Sequence, residues 1–368
     1  MSTKKRILFF TKDLNRTGAE IILFNIVESL DHSKFDIGIV LMQQGGELVP
    51  NLPQDVKLFY LESTFNLFDK IRFHLGEDVM LNRLKKIENE FKSDIWYINT
   101  ITNALFLKYS NHFSVFSFLH VHENLYSLGG LSIKETQIIL NNVDYFVACS
   151  DLIGKQLSSI TNKPRTIISS CIDKNFIDLC LLNYTKPSKN KIKIIGSGTI
   201  CQVKGVEIFI ELSKFFDPRK YEFIWIGKWS NTGYSEVLKR KISSLENPTI
   251  KIINEINSKE YIHEIGSADL FLSCSREESM GLVMMEAIYC GVPVLATDSG
   301  GSSLIVNDQN GRICFDLRPE ILANEVLNLI KAQNQFDKNV MKESIEKYNI
   351  QVELKKLENI LSQKSSVT

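Results

Sequence analysis

The sequence predicts an α/β protein of two domains assembled from strand–helix–strand units, and three observations carry that prediction. A chain of 368 residues fits two domains of ordinary size, each able to bury its own core. The stretch Asp269 to Gly301 reads as a complete strand–helix–strand unit. Two further apolar runs, Lys5 to Thr11 and Ile192 to Ile195, lead into glycine turns of the same kind. Hydrophobic content of 44% and charged content of 23% are globular values.

Composition excludes several classes. Lys+Arg and Asp+Glu both number 43, so the net charge is near zero, which argues against broad nucleic-acid binding. The apolar run after Met1–Arg6 covers only Ile7 to Phe10, too short for a signal-peptide core. No stretch approaches the roughly 18 apolar residues of a membrane span. The seven cysteines are odd in number and never spaced C-x-x-C, so they read as reduced core residues. The expected location is cytoplasmic, with peripheral membrane association as an option.

In chain order, Lys5–Thr11 is a buried strand, followed by the loop Asp13 to Glu20 with Gly18 and then a helix from Ile21 to Leu30. A strand, glycine turn and helix in this order make a phosphate-facing loop; a plain turn is the simpler alternative. Phe35–Met42 is a second strand. Residues 62 to 93 mix Phe65, Leu67, Phe68 and Phe73 with Lys70, Arg72 and His74, a pattern suited to a lipid-linked acceptor or membrane surface, or to a helix packed on its own domain. Asp94–Asn99 and Ser114–Leu119 are strands, and the second runs into His120-Val-His122-Glu123. Imidazoles at the C-terminal end of a strand stand where substrates bind. Their i, i+2 spacing would suit a metal, but no further ligand cluster supports one. Val143–Ser150 is expected to be the last strand of the first domain.

The polar segment Asn183–Lys191 marks the domain boundary. We place a first domain over 1–185, a second over 186–345 and a terminal helix over 346–368. Gly196-Ser-Gly198 follows the first strand of the second domain, with Lys204-Gly205 beyond it. Tyr221–Gly227 and Ile250–Ile253 are further strands, with a turn at Ile256. Asp269–Ser275 is a strand, Arg276–Ser279 a turn and Met280–Tyr289 a helix. Gly291 and Pro293 stop that helix before the strand Val294–Thr297.

The chemistry gathers where Ser275 hands over to the helix. Backbone amides of Met280, Gly281 and Leu282 at a helix start suit an anion. Glu278 and Glu286, about two turns apart, flank it with carboxylates that can grip hydroxyls. A sugar and a ribose joined by a diphosphate fit this layout.

These residues carry a resemblance. Ser275-Arg-x-Glu278-Ser-Met280-Gly281-Leu282-x-x-x-Glu286-Ala is similar to the signature of family 4 retaining glycosyltransferases, in which Phe usually stands at Met280. Lys204-Gly205 and the Thr17-Gly18-Ala-Glu20 loop resemble further family motifs. The resemblance implies the GT-B architecture, two Rossmann-like doubly wound domains facing across a cleft, with 1–185 binding the acceptor, 186–345 the nucleotide sugar, and the helix in 346–368 crossing back to the first domain. It implies transfer of a sugar from a nucleotide-sugar donor, UDP- or GDP-linked, to a glycan or lipid-linked acceptor. No other cofactor is implied, and without an Asp-x-Asp motif no metal. By resemblance Glu278 and His122 are the catalytic candidates, with His120 second to His122. Gly18, Lys204, Ile256, Met280, Gly281, Leu282 and Glu286 are the substrate-binding candidates. The chain departs from the family at Thr199, where an arginine is usual, at Leu304, where glutamate is usual, and at Ser170-Cys171 in place of Asn-Gly. A binding module without turnover and a nucleotide-sugar epimerase are the alternatives.

Overall fold

The computed structural model describes residues 4–364, apart from 16, 62–76, 125–126, 128, 189, 246–248 and 255. The chain divides into two compact units, one of residues 1–170 and 350–368 and one of residues 171–349. The aromatic stretch at Phe65–His74 lies outside the described residues; the rest of that segment forms the helix Val79–Phe91.

The first unit holds a parallel sheet of seven strands: β1 (Lys5–Thr11), β2 (Phe35–Leu41), β3 (Lys57–Tyr60), β4 (Ile95–Asn99), β5 (Phe116–Val121), β6 (Tyr145–Ala148) and β7 (Arg165–Ile167). Their order is β3-β2-β1-β4-β5-β6-β7. Both faces are covered, as a continuous apolar strand requires. Leu8 and Phe10 join one core, with Trp96, Leu119 and Phe146. Ile7 and Phe9 join another, with Leu23, Tyr97 and Phe118. β5 continues through His120 to Val121 instead of ending at Leu119. β7, not the Val143–Ser150 segment, closes the sheet.

The second unit has six parallel strands: β8 (Ile192–Ser197), β9 (Tyr221–Ile226), β10 (Ile250–Ile253), β11 (Leu270–Ser273), β12 (Val294–Thr297) and β13 (Gly311–Cys314). Their order is β10-β9-β8-β11-β12-β13. Both sheets are therefore doubly wound, with strand order reversing between β1 and β4 and between β8 and β11.

The division between units falls at 170/171, earlier than the 185/186 expected from composition. Residues 171–185 are tied to the second unit by specific contacts. Asp178 on the helix Lys174–Leu181 accepts from the Tyr289 hydroxyl at 2.7 Å, and the Tyr184 hydroxyl donates to the His263 carbonyl at 2.9 Å. Within the expected linker, Lys186 donates to the Ala268 carbonyl at 2.7 Å. Polar composition there serves attachment to a surface, not a free tether.

The last helix, Ile350–Gln363, belongs to the first unit. Leu354, Leu357 and Leu361 enter its core. Glu353 accepts from the Ser169 amide at 2.9 Å, and the Lys5 ammonium donates to the carbonyls of Leu361, Ser362 and Lys364 at the helix end. A cation on those unpaired carbonyls is favourable on both hydrogen-bond and dipole grounds.

Candidate functional site

In the second unit the candidate residues collect at the C-terminal edges of β8 and β11, the point where strand order reverses. After β8 the chain turns through Gly198 and Lys204 to Gly205, which holds φ +64°. A Cβ at Gly205 would overlap the Cys274 carbonyl oxygen, so only glycine lets the Lys204 turn lie against the end of β11. That packing brings the Lys204 ammonium to 2.6 Å from Glu278 Oε1. Ser275 donates to the same oxygen at 2.8 Å. Glu278 is 8% exposed, so its charge is held by a cation and a hydroxyl instead of water. Arg276 braces the same turns, donating to the Gln202 carbonyl at 2.8 Å and pairing with Glu207 at 2.6 Å.

The helix after this turn is Leu282–Tyr289, two residues shorter at its start than expected. Gly281 takes φ +92° as its N-cap, a conformation that ends the turn and delays the helix. Met280 is buried, 3% exposed. Behind it, Gly301 donates to the Glu278 carbonyl at 2.8 Å, and Glu278 donates to Ser299 O at 2.8 Å. Glu286 accepts from the Tyr261 hydroxyl at 3.0 Å. Tyr261 also bonds to Ser197 at the end of β8, and burial with the nearby Glu286 charge pushes its hydroxyl pKa well above the ordinary value. Ile256, half-buried, stands between β10 and the helix Ser258–Ser267. Thr199 is exposed and Leu304 half-buried.

In the first unit a second polar group lies at the edges of β1, β4 and β5. Gly18 opens the helix Gly18–Ser29 instead of sitting in the turn before it. His120 is fully buried inside β5, its Nδ1 2.9 Å from the Tyr97 hydroxyl. His122, half-buried, lies beyond the strand with its ring 3.9 Å from that of His120. Asn99 donates to the Ala19 carbonyl at 3.2 Å, which turns its Oδ1 toward His122 Nε2 at 3.0 Å. An acceptor there fixes the proton on Nε2 and leaves the Nδ1 lone pair of His122 to face outward chemistry. Burial lowers the His122 pKa to about 3 and that of His120 well below its usual value. Both rings are neutral near pH 7.

Carboxylates surround this pair. Glu123 accepts from the amides of His122 at 3.0 Å and Ile101 at 3.3 Å, and burial raises its pKa. Glu20 rises to about 7, chiefly through burial, with Asp13 and Glu123 adding repulsion. Thr17 bonds to Glu20. Between Asn99 and Ile101, Thr100 holds φ +68° and ψ 154°, a strained backbone at a sheet edge.

Tyr261, Tyr97 and Asn99 are the residues that sequence reasoning missed. Asn99 left one signal, a polar residue closing an apolar strand. Tyr97 and Tyr261 left none, since each is an ordinary apolar position of its element. No disulfide joins the seven cysteines, and five of them are buried.

Residues 183–350 match the family described as Glycosyl transferases group 1. Among curated proteins, alpha-galactosylglucosyldiacylglycerol synthase of Streptococcus pneumoniae is 31% identical over 113 residues, 30% of this chain and 30% of that protein. An uncharacterized glycosyltransferase of Methanocaldococcus jannaschii is 25% identical over 190 residues, 51% of this chain and 50% of that one. The chain thus spans half or less of these relatives' lengths. Among solved structures, Anabaena HepE in complex with UDP and glucose aligns with a TM-score of 0.78 at 18% identity, covering 98% of this chain and all of that one. Sucrose-phosphate synthase from Thermosynechococcus elongatus aligns at 0.78 with 15% identity, covering 98% and 99%. Residues 183–350 thus resemble the glycosyl transferases group 1 family, and the fold of the chain is of the GT-B type.

Proposed function

We propose that this protein is a retaining hexosyltransferase that moves a sugar from a UDP- or GDP-sugar to a hydroxyl of a glycan or lipid-linked acceptor. The observation that carries the reading is the Lys204–Glu278 pair at the strand-order reversal of the matched unit. A nucleotide-sugar donor presents an anionic diphosphate next to neutral hydroxyls, and this pair offers a cation and a carboxylate side by side. Lys204 and the amides of Met280, Gly281 and Leu282 would take the diphosphate. In the first unit, the Gly18 amide at the start of its helix would be a substrate-binding donor. Glu278 would orient the sugar, Glu286 would accept from the ribose hydroxyls, and the Ile256 turn would seat the base.

The chemistry follows from those assignments. The bond from the anomeric carbon to the diphosphate oxygen breaks as the acceptor oxygen bonds on the same face. The acceptor proton passes to the departing diphosphate. Positive charge grows on the sugar ring and negative charge on the diphosphate, and preorganised charges that meet them lower the barrier. His122, with an Nδ1 lone pair and a pKa near 3, is suited to orient the acceptor hydroxyl by hydrogen bonding, not to remove its proton at pH 7. The names of relatives support a glycolipid setting. One is the diacylglycerol-linked synthase above, and another is a Corynebacterium glutamicum mannosyltransferase named for a phosphatidylinositol monomannoside. Membrane-peripheral action in the cytoplasm would fit such acceptors.

The test is a panel of UDP- and GDP-sugars with glycolipid and glycan acceptors, run with and without excess chelator. Nucleoside-diphosphate release coupled to a new product with the donor's anomeric configuration is expected, and chelator should leave it intact. Binding of nucleotide sugars without release would favour a binding module. Exposed Thr199, in the place of the family's arginine, is the feature that points that way.

A further inference from the structure

We propose that the first unit holds a hydrocarbon-chain site, which takes the single aliphatic tail of a lipid-linked acceptor. This rests on the reading that the first unit binds the acceptor. A cavity of about 400 Å³ opens on the face of β5 opposite His120, within the usual range of ligand pockets. Its walls are Leu119 and Val121 of β5, Ile139 and Leu140 of the helix Ile133–Asn142, and Leu157 and Ile160 of the helix Asp151–Ile160.

The lining chooses the ligand class. Among the described residues that line it, Thr136 and Gln137 are the polar side chains. A sugar placed there would lose water from hydroxyls that find too few partners, at a prohibitive cost. An open apolar cavity gains from an apolar guest, which removes its walls from water. The mouth is apolar too. Ile133 and Ile160 line the cavity while 80% and 41% exposed, more apolar area than a plain surface needs at one place.

Position then decides between a loose apolar molecule and the tail of an acceptor. Ile101 lines the cavity, and its amide donates to the Glu123 carboxylate, which also holds the His122 amide. Val121 lines the cavity and is followed directly by His122. One molecule can therefore set a hydroxylated head at His122 and Glu123 and run its chain past Ile101 into the cavity. The first unit would thereby distinguish acceptors by their chains as well as by their sugars.

The experiment is calorimetric titration of the full chain with octyl, nonyl and decyl β-D-glucopyranoside, each below its micelle concentration. Affinity should rise about fourfold per added methylene, the value of a buried CH₂. Thr136→Phe, which fills the cavity from its half-buried rim, should flatten that series, while Thr136→Ser should keep it. Ile133→Glu places a charge at an exposed mouth position without disturbing the core and should weaken decyl glucoside at least fivefold. Affinities independent of chain length, or a series unchanged in both Thr136→Phe and Ile133→Glu, would overturn the proposal. Transfer is scored separately with a methyl glycoside acceptor. Chain-dependent binding without any transfer would leave the site standing and sink the transferase reading; transfer without chain dependence would do the reverse.

Discussion

Glu278 and Glu286 carry different loads although both end in a carboxylate. Glu286 is assigned to the ribose, which is unchanged by the reaction, so its contact is equally strong before and during bond breaking. Glu286→Gln should raise the donor KM and leave kcat nearly intact. Glu278 is assigned to the ring on which charge develops, so Glu278→Gln should lower kcat more than it raises KM; steady-state kinetics on both variants would expose a reversed pattern. The Lys204 contact adds a stability test. Lys204→Met takes the cation from a carboxylate that is only 8% exposed, leaving it the Ser275 hydroxyl, and should cost about 1–3 kcal/mol. The double variant Lys204→Met/Glu278→Gln should recover most of it, since a neutral amide needs no cation. Denaturant titration of the three proteins reads the coupling directly. Glu20 sets a pH dependence. Its pKa is about 7 in the folded chain against an ordinary 4.5, so between these values the native state keeps a proton that the unfolded chain has lost. The contribution is full below pH 4.5 and is lost as pH rises through 7. Glu20→Gln stays neutral throughout. It should match the parent at pH 4 and exceed it at pH 8 by about 1–2 kcal/mol after allowance for partial exposure. Equal thermal shifts for the two proteins from pH 4 to 8 would count against this.

At the scale of elements, the turns decide the site, and glycine decides the turns. Gly205 and Gly281 both hold positive φ, but their surroundings differ. A Cβ at Gly281 would meet the flexible end of Met284, whereas one at Gly205 would meet the Cys274 backbone. Gly205→Ala should therefore destabilise the second unit by several kcal/mol and Gly281→Ala by about 1–2 kcal/mol, the usual left-handed penalty; thermal unfolding of both variants checks the order. The same locality explains what could be read from the chain. Glu278, Gly281 and Glu286 lie in one strand–turn–helix, and local pattern reveals them together. Tyr261 reaches Glu286 from 25 residues away, and Asn99 reaches His122 from 23. Such pairs exist only after strands are ordered in a sheet. The Lys204–Glu278 pair spans 74 residues; motif resemblance suggested each partner, but not that they touch. The strands β3, β7 and β13 escaped for a different reason. They are edge strands of four, three and four residues that open on Lys57, Arg165 and Gly311, without the unbroken apolar run that marks β11 and β12.

Across the whole molecule, the order of the chain and the order of the cores diverge. The first core is unfinished until residue 350, after the entire second unit has been made. Its closing helix supplies Leu354, Leu357 and Leu361 to the cluster that holds Ile7, Phe9 and Leu23. Polar contacts at Ser169, Lys5 and the Asp31 amide fix its placement. The consequence is an asymmetry in stability that a contiguous two-domain chain would lack. Leu357 is fully buried, so Leu357→Ala removes a leucine's worth of packing and leaves a cavity, about 2–5 kcal/mol. That loss falls on the first unit alone, because no residue of the helix Ile350–Gln363 belongs to the second. Hydrogen exchange should therefore speed up in peptides from β1 and β2 and stay unchanged in peptides from β8 and β12. Nucleotide binding, assigned to the second unit, should persist under conditions where β1 has lost protection. Equal loss of protection in both sheets would show that the units unfold as one, and the helix would then be holding the whole chain instead of one core.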